Sequence, residues 1–172
     1  MHAFCYVCGT ETTDHDERSW YCSTCQQRYY DSPRPATDIV FFDEHNRVLL
    51  AKRALDPAKG TWDTIGGFIE NRETTQDALV REIKEEVGLQ PGDYSEPLFN
   101  AEYLAEYPWG KVTYDVLVLN YVARIKPGVT CRPADDVAEV AFFNLQDIDE
   151  LEFGFPKHKK IITRAAKKLG IS

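Results

Sequence analysis

Four of the five cysteines occur as two closely spaced pairs, and this pattern restricts the fold of the N-terminal part more than any other feature. The pairs are CYVC at 5–8 and CSTC at 22–25. Each C-x2-C turn presents two thiolates to one point, so two such turns can surround a single tetrahedral Zn²⁺. We therefore predict a structural zinc site formed by Cys5, Cys8, Cys22 and Cys25.

Two disulfides in a small secreted module are the alternative interpretation of these cysteines. The N-terminal stretch MHAFCYVCGTETTDHDE has neither the basic start nor the apolar run of a signal peptide. No apolar run in the chain approaches the roughly 18 residues that span a bilayer. We therefore favour zinc over disulfides and expect a cytoplasmic protein with no membrane partner, since thiols stay reduced in that compartment.

A domain boundary is predicted after the second cysteine pair. A module of about 30 residues is too small for a stable apolar core, so a bound metal would supply its folding energy. The stretch QQRYYDSPRPA follows, in which Pro33 and Pro35 favour an extended connector. We predict a zinc ribbon at residues 1–31 and a second domain at residues 32–172.

The second domain has the pattern of a mixed α/β fold. Runs typical of β-strands lie at 37–43, 47–53, 98–107, 112–124 and 137–143, and helices are predicted at 74–87 and 158–169. This order indicates a mixed sheet with helices on both faces. In the first helix, Thr74 is a suitable N-cap, Gly88 a suitable end, and Leu79, Ile83 and Val87 should face the core with Val80 widening the apolar stripe.

The same helix carries three glutamates within five residues, in the stretch REIKEEVG at 81–88. At about 100° per residue, Glu82, Glu85 and Glu86 lie within one third of the circumference. Like charges at i,i+4, as in Glu82 and Glu86, cost a few tenths of a kcal/mol on an isolated helix. Either this face is solvated or a cation binds there.

The run GFIENRETTQDALVREIKEEVGL at 67–89 resembles the Nudix box, which is Gly, five residues, Glu, seven residues, then Arg-Glu-apolar-x-Glu-Glu-x-Gly-apolar. Every specified position is filled. The resemblance implies a Nudix α/β/α sandwich and hydrolysis of nucleoside diphosphates linked to another group. It also implies a catalytic Mg²⁺ or Mn²⁺, cations that hard carboxylate oxygens suit.

The resemblance assigns roles to individual residues. It implies that Glu82 and Glu86 bind the metal directly, that Glu85 holds the metal or its water and acts as base, and that the Gly66 carbonyl is a backbone ligand. It also implies that Arg81 and Glu73 pair to fix the loop against the helix. The pattern alone equally allows Arg81 an ordinary i,i+4 bridge to Glu85.

The N-terminal cysteines and the junction CSTCQQRYY resemble one branch of the family, which joins a zinc ribbon to the Nudix domain and includes NADH pyrophosphatases. By this resemblance Tyr30 contacts substrate, although a tyrosine that packs at the domain junction is the alternative. The strand EVAFF resembles one whose leading glutamate, here Glu139, completes the metal site. Asp135 and Asp136 lie close by as alternatives.

Substrate specificity is the least determined property. NADH pyrophosphatases carry Ser-Gln-Pro-Trp-Pro-Phe-Pro after the box, whereas this chain has EYPWGKV at 106–112, so only Pro108 and Trp109 agree. Trp109 is predicted to stack on a base from a hairpin loop, with a tryptophan covering the sheet edge as the alternative. Phe153, Phe155 and Lys157 form another candidate rim of the site, although we favour a packed loop there. We interpret the basic face of the last helix as solvated.

The expected activity is metal-dependent hydrolysis of the pyrophosphate bond in a small-molecule nucleotide such as NADH or ADP-ribose. The alternative is a non-hydrolytic nucleotide sensor, or a nucleic-acid adaptor that binds through the zinc ribbon. The net charge of −8 and the acidic ribbon argue against nucleic acid. The family resemblance also implies a homodimer.

Overall fold

The computed structural model describes residues 4–171, and the chain divides into two compact units between Pro33 and Arg34. The N-terminal unit contains an antiparallel sheet of three short strands, β1 (Thr13–Asp16), β2 (Ser19–Cys22) and β3 (Gln27–Tyr30), in the order β1-β2-β3. Its small core consists of Cys5, Cys22 and Tyr29, with Trp20 and Cys25 packed against them.

The four predicted cysteines lie around one point in this unit. Their Sγ atoms all lie within 4.8 Å of one another, with Cys5 and Cys25 3.9 Å apart and Cys8 and Cys22 3.6 Å apart. Tetrahedral zinc with Zn–S bonds of about 2.3 Å requires S···S distances of about 3.8 Å. The cysteines are free thiols rather than disulfides, and their arrangement fits Zn²⁺.

A tyrosine supports one of these thiolates. The Tyr29 hydroxyl lies 2.9 Å from the Cys5 Sγ and lowers the pKa of that thiol to about 6. A lowered pKa favours the thiolate, which is the form that binds metal.

The second unit contains seven strands and two helices. The strands are β4 (Arg34–Phe42), β5 (Val48–Arg53), β6 (Trp62–Asp63), β7 (Ile65–Phe68), β8 (Leu98–Trp109), β9 (Val112–Arg124) and β10 (Val137–Phe143). The helices are α1 (Thr75–Val87) and α2 (His158–Lys168), and a 3-10 helix covers Leu145–Glu150. Pro35, predicted to belong to a connector, lies in β4.

The sheet has the order β10-β5-β4-β9-β8, in which β4 and β9 are parallel and the other pairs antiparallel. Helix α1 buries Leu79, Ile83 and Val87 against one face, and α2 buries Ile161 and Ile162 against the other. The predicted mixed α/β fold with helices on both faces is therefore confirmed. Val80 was predicted to face the core, but it is 38% exposed because it lies at the outer margin of the stripe.

Strand β4 changes partner partway along its length. Ala36 to Ile39 pair with β7, whereas Phe41 and Phe42 pair with β5. The sheet opens where the two partners diverge, and the short strands β6 and β7 lie at this opening. No described helix is long and apolar enough to cross a membrane.

Candidate active site

A cavity of about 410 Å³ lies in the second unit beside this opening in the sheet. Its walls come from three groups of side chains. An acidic wall contains Glu82, Glu85, Glu86, Asp135 and Asp136; a polar wall contains Asp38, Arg53, Asp63, Tyr103 and His158; an aromatic rim contains Phe68, Tyr107 and Phe155.

Helix α1 positions the three glutamates. The Thr74 hydroxyl accepts a hydrogen bond from the Asp77 N–H, and the Asp77 carboxylate accepts one from the Thr74 N–H, which completes a capping box. At the other end Gly88 adopts a left-handed conformation, with φ of 73°, that ends the helix. The helix is thus fixed at both ends, and its glutamates face the cavity from a rigid element.

Two of the three glutamates, Glu82 and Glu86, lie close to each other and to Asp136, so their negative charges repel. Glu86 is 8% exposed and accepts a hydrogen bond from the Gly66 N–H at 3.0 Å. Burial raises the pKa of Glu86 well above its usual value, and Asp136 and Glu82 raise it further. Burial also raises the pKa of Glu82, an effect that Arg81 opposes. A bound cation would relieve this repulsion.

Arg81 connects the helix to the loop before it. Its guanidinium donates two hydrogen bonds to Glu73, at 2.8 and 3.0 Å, and one each to Glu82, Glu85 and the Phe68 carbonyl. These five acceptors match its five N–H groups. Arg81 lowers the pKa of Glu73 to about 2. Both arrangements considered for Arg81, the pair with Glu73 and the bridge to Glu85, are therefore present together.

Two glycines near the acidic wall lie where a side chain would clash with neighbouring atoms. At Gly66, where φ is 149°, an added Cβ would lie 2.2 Å from the Thr37 carbonyl oxygen. At Gly67 an added Cβ would lie 2.3 Å from the Glu82 Oε1. The Glu82 carboxylate therefore occupies the space that any side chain at position 67 would take.

The loop before β10 brings Asp135 and Asp136 to the acidic wall. The N–H groups of Arg132 and Ala134 donate to the last carbonyls of α1, those of Val87 and Glu86, at 3.1 Å each. These hydrogen bonds fix the loop beside the helix. Asp136 lies near enough to raise the pKa of both Glu82 and Glu86.

Glu139, by contrast, does not line this cavity. A bulge between Val137 and Glu139 shifts the register of β10 against β5, so that Glu139 is opposite Lys52. Glu139 forms an exposed ion pair with Lys52 at 3.4 Å. Lys52 in turn lies over the Trp62 ring, and Trp62 packs in the core on the α2 side of the sheet.

Aromatic rings are stacked at the mouth of the cavity. The Tyr107 ring is 5.9 Å from that of Phe155 and 6.4 Å from that of Trp109, with interplanar angles of 17° and 13°. Trp109 itself is 58% exposed and lies outside the cavity lining, at the end of β8. Tyr30 lies on β3 in the N-terminal unit and is 64% exposed.

The polar wall was not anticipated from the sequence. Asp38 accepts hydrogen bonds from Thr64, Tyr103 and Asn120, at 2.8, 2.9 and 2.7 Å. Its partners come from β8, from β9 and from the position between β6 and β7, and no local pattern connects them. One sequence signal could have indicated this wall. Tyr103 and Tyr107 are four residues apart on β8 and therefore share one face of the strand.

Comparisons of the chain with known proteins identify its family. A family described as NUDIX domain matches residues 32–165. An ADP-ribose pyrophosphatase of Methanocaldococcus jannaschii is 37% identical over 141 residues, which cover 78% of this chain and 74% of that protein. An NAD-capped RNA hydrolase NudC of Pseudomonas entomophila is 29% identical across 99% of this chain, which spans only 59% of that protein's length.

Solved structures show the same fold. A NUDIX hydrolase from Nitrosomonas europaea superposes with a TM-score of 0.69 and 25% identity, covering 98% of this chain and 93% of that one. The NUDIX domain of Shewanella oneidensis NrtR, solved with ADP ribose, gives a TM-score of 0.67 at 21% identity, covering 87% of this chain and 94% of that one. The predicted α/β/α sandwich is confirmed, and the chain belongs to the Nudix family.

Proposed function

We propose that this protein hydrolyses the pyrophosphate bond of a nucleoside diphosphate derivative in a metal-dependent reaction. The observation that carries the proposal is the cavity itself, in which the box glutamates of α1 face a wall that contains Arg53 and His158. A volume of about 410 Å³ is within the range of small-molecule sites. A substrate diphosphate would lie between the two walls.

The acidic wall supplies the oxygen ligands that Mg²⁺ or Mn²⁺ requires. We assign Glu82, Glu86 and the Gly66 carbonyl as ligands. Among residues 4–171 only the cysteine cluster gathers three or more acidic, histidine or cysteine ligand atoms within 4.8 Å of one another. The carboxylate oxygens of the acidic wall are therefore spaced more widely than those sulfur atoms. Such spacing suits Mg²⁺, which keeps several waters and also binds substrate phosphate. The metal would polarise the phosphate and lower the pKa of an attacking water.

Glu85 is our candidate for the general base. Its side chain is 45% exposed, so it can reach a water on the open side of the cavity. Arg81 holds Glu82 and Glu85 with the same Nη1 atom, at 2.8 and 3.1 Å. Arg81 and Glu73 therefore position the metal-binding helix and its base.

We place Asp136, rather than Glu139, as the further acidic residue of the metal site. Asp136 lines the cavity with the three glutamates, whereas Glu139 is paired with Lys52 outside it. The bulge in β10 is the physical reason, because a register shift exchanges the faces on which successive side chains lie.

ADP-ribose is the substrate we favour, with NADH as the second candidate. The archaeal relative described as an ADP-ribose pyrophosphatase aligns over most of its own length, whereas the NudC relative is much longer than this chain. The aromatic rim offers Tyr107 and Phe155 as stacking surfaces for a base.

We also propose that residues 1–31 are a structural zinc ribbon and residues 32–172 the catalytic domain. The free thiols of Cys5, Cys8, Cys22 and Cys25 support this assignment, and a reduced compartment, the cytoplasm, suits them. Contact of Tyr30 with substrate, and the homodimer, stay predictions.

A hydrolysis panel tests the proposed function. It should include ADP-ribose, NADH, NAD, a dinucleoside polyphosphate and a nucleoside triphosphate, each with Mg²⁺ and with Mn²⁺. We expect AMP and ribose 5-phosphate from ADP-ribose. A sensor would bind a nucleotide without turnover, and an adaptor would bind RNA through the N-terminal unit; either result would contradict the proposal.

Gly67→Ala should weaken catalysis without weakening the fold. The added methyl group would meet the Glu82 carboxylate, which is the mobile end of a side chain and can move aside. Displacement of a metal ligand by about 1 Å can cost on the order of a hundredfold in rate. We expect kcat/KM to fall by at least about tenfold with an almost unchanged melting temperature. A clearly lowered melting temperature would show that Gly67 serves the fold instead.

Trp109→Ala should raise KM for ADP-ribose or NADH more than it lowers kcat. Stacking on a base remote from phosphorus is similar in the ground and transition states, and is worth about 1–3 kcal/mol. KM for a nucleoside triphosphate should rise less than KM for a dinucleotide. Val112→Ala is the matched control, since Val112 pairs with Trp109 across the hairpin. Equal losses on every substrate would indicate a structural tryptophan that supports Tyr107.

A further inference from the structure

His158 is a buried titratable group in the cavity wall for which the proposed reaction has no use. It is the first residue of α2 and is 4% exposed. Its Nδ1 lies 2.9 Å from the Asp63 Oδ1, and its Nε2 lies 3.2 Å from the Tyr103 hydroxyl. The imidazole therefore bridges two strands, β6 and β8, from the end of a helix on one face of the sheet.

The neighbours of His158 determine its protons. When the Tyr103 hydroxyl donates to the Asp38 Oδ2, at 2.9 Å, the Tyr103 oxygen accepts from the imidazole Nε2. The ionised Asp63 carboxylate has no proton to donate. Hydrogen on both ring nitrogens, which makes the side chain an imidazolium, satisfies both neighbours.

Charged groups from several elements surround this ring. Asp63 lies on β6, Asp38 on β4 and Arg53 on β5, and the rings of Phe153 and Phe155 pack against it. Burial alone would lower the pKa of His158, and Arg53 also lowers it, but Asp63 and Asp38 raise it above its usual value. This direction agrees with an imidazolium placed between Asp63 and Tyr103.

Asp63 links His158 to Arg53. Its Oδ1 faces His158, and its Oδ2 accepts a hydrogen bond from the Arg53 Nη1 at 2.9 Å. The Arg53 Nε donates to the Pro57 carbonyl at 2.7 Å. These contacts fix the guanidinium beside Phe155, with 5.7 Å between its carbon and the ring centroid.

Among the described residues that line this cavity, Arg53 is the cation that can still bind an anion. Arg81 also lines the cavity, but its five N–H groups already meet five acceptors. Arg53 gives one N–H to Pro57 and one to Asp63, and it also interacts with the Tyr107 hydroxyl. Further donors of its fork therefore remain for a ligand.

We propose that His158 is a positioning residue for substrate binding: its imidazolium holds Asp63, and through Asp63 it fixes the Arg53 guanidinium that contacts an anionic group of the substrate. Without His158, the buried Asp63 would retain Arg53 as its sole cation partner in the wall and would draw the guanidinium toward itself. The inference deepens the proposed function, on which it rests for the identity of the ligand.

The protonation state can be tested without any ligand. Nitrogen-15 NMR of the wild-type protein should show both His158 nitrogens protonated at pH 7, with titration above the usual value of about 6.5. A neutral imidazole at pH 7 would overturn the proposal. This result does not depend on whether the protein hydrolyses anything, so it separates failure of this inference from failure of the proposed function.

The linkage to Arg53 can be tested by a double-mutant cycle. ADP-ribose affinity would be measured by calorimetry without added Mg²⁺ or Mn²⁺, for wild type, His158→Gln, Arg53→Met and the double variant. We expect each single variant to bind about tenfold more weakly, since each loses the charge-assisted contact of the guanidinium or its alignment. The double variant should bind no more weakly than Arg53→Met, because His158 acts through Arg53.

The control for a merely structural effect is Ile162→Val, which removes one buried methyl group from the same helix outside the cavity. It should lower the melting temperature slightly and leave ADP-ribose affinity unchanged. Wild-type affinity should also fall as pH rises above the His158 pKa, whereas His158→Gln should lose this dependence. Additive losses in the double variant, or wild-type affinity in folded His158→Gln, would refute the proposal.

Discussion

Glu86→Gln is expected to lower kcat by at least about a hundredfold while the protein stays folded, and Glu82→Gln should do the same. An amide has nearly the size of a carboxylate but cannot neutralise a divalent cation as charge develops on the phosphate. The fold should persist because neutral side chains at these positions remove repulsion within the acidic wall. Steady-state kinetics with saturating Mg²⁺ and circular dichroism would measure both effects.

Glu102→Gln is the matched control for these two variants. Glu102 is an exposed glutamate on β8 that does not line the cavity. The same chemical change there should leave kcat unaltered. Near-wild-type turnover of Glu86→Gln or Glu82→Gln at saturating Mg²⁺ would mean that the metal lies elsewhere.

The second large effect concerns zinc in the N-terminal unit. We expect one zinc per chain by elemental analysis, and loss of that zinc in Cys22→Ser. The unit should then unfold, because the buried apolar core among its described residues is only Cys5, Cys22 and Tyr29. Zinc binding contributes about 10–16 kcal/mol in small zinc modules, far more than so small a core can supply.

Cys131→Ser provides the comparison for this experiment, since Cys131 is the cysteine outside the cluster and packs beside the core of the second unit. It should keep one zinc per chain. NMR of Cys22→Ser should show disorder in residues of the N-terminal unit, while the second unit keeps its dispersed signals from an independent core. A folded, zinc-free N-terminal unit would contradict the assignment.

The elements with strong local patterns could be predicted well. The ends of β9 and β10 agree with the sequence prediction, and the capping box of α1 was visible as Thr74 and Asp77. Strands β6 and β7 could not be predicted in the same way. They are two and four residues long, and β7 contains Gly66 and Gly67, which have low β-propensity.

The candidate site likewise has one part that the sequence predicts and one part that it does not. The box glutamates lie within five residues on one helix, so sequence alone brings them together. The Asp38, Asp63, Tyr103 and His158 network depends on four separate elements, and only tertiary structure assembles it. Phe155 was interpreted as part of a packed loop, yet it lines the cavity and stacks on Tyr107.

Glu139 shows how one inserted residue changes a prediction. The sequence resemblance aligns it with a metal-site residue, and nothing in VAEVAFF marks the position of a bulge. In an uninterrupted strand, alternate side chains share a face. The bulge breaks this alternation between Val137 and Glu139, so a role transferred by sequence position alone cannot account for the face on which the carboxylate lies.

The origin of the cavity walls has an evolutionary consequence. The residues assigned to bond cleavage come from α1, from β7 and from the two loops beside the helix. The surfaces that would contact the remainder of the substrate come from β5, β8 and the segment before α2. Mutations in the second group can alter which nucleotide is accepted while the hydrolytic machinery is inherited unchanged. Such a separation allows one scaffold to acquire new specificities through a few substitutions, without passing through an inactive ancestor.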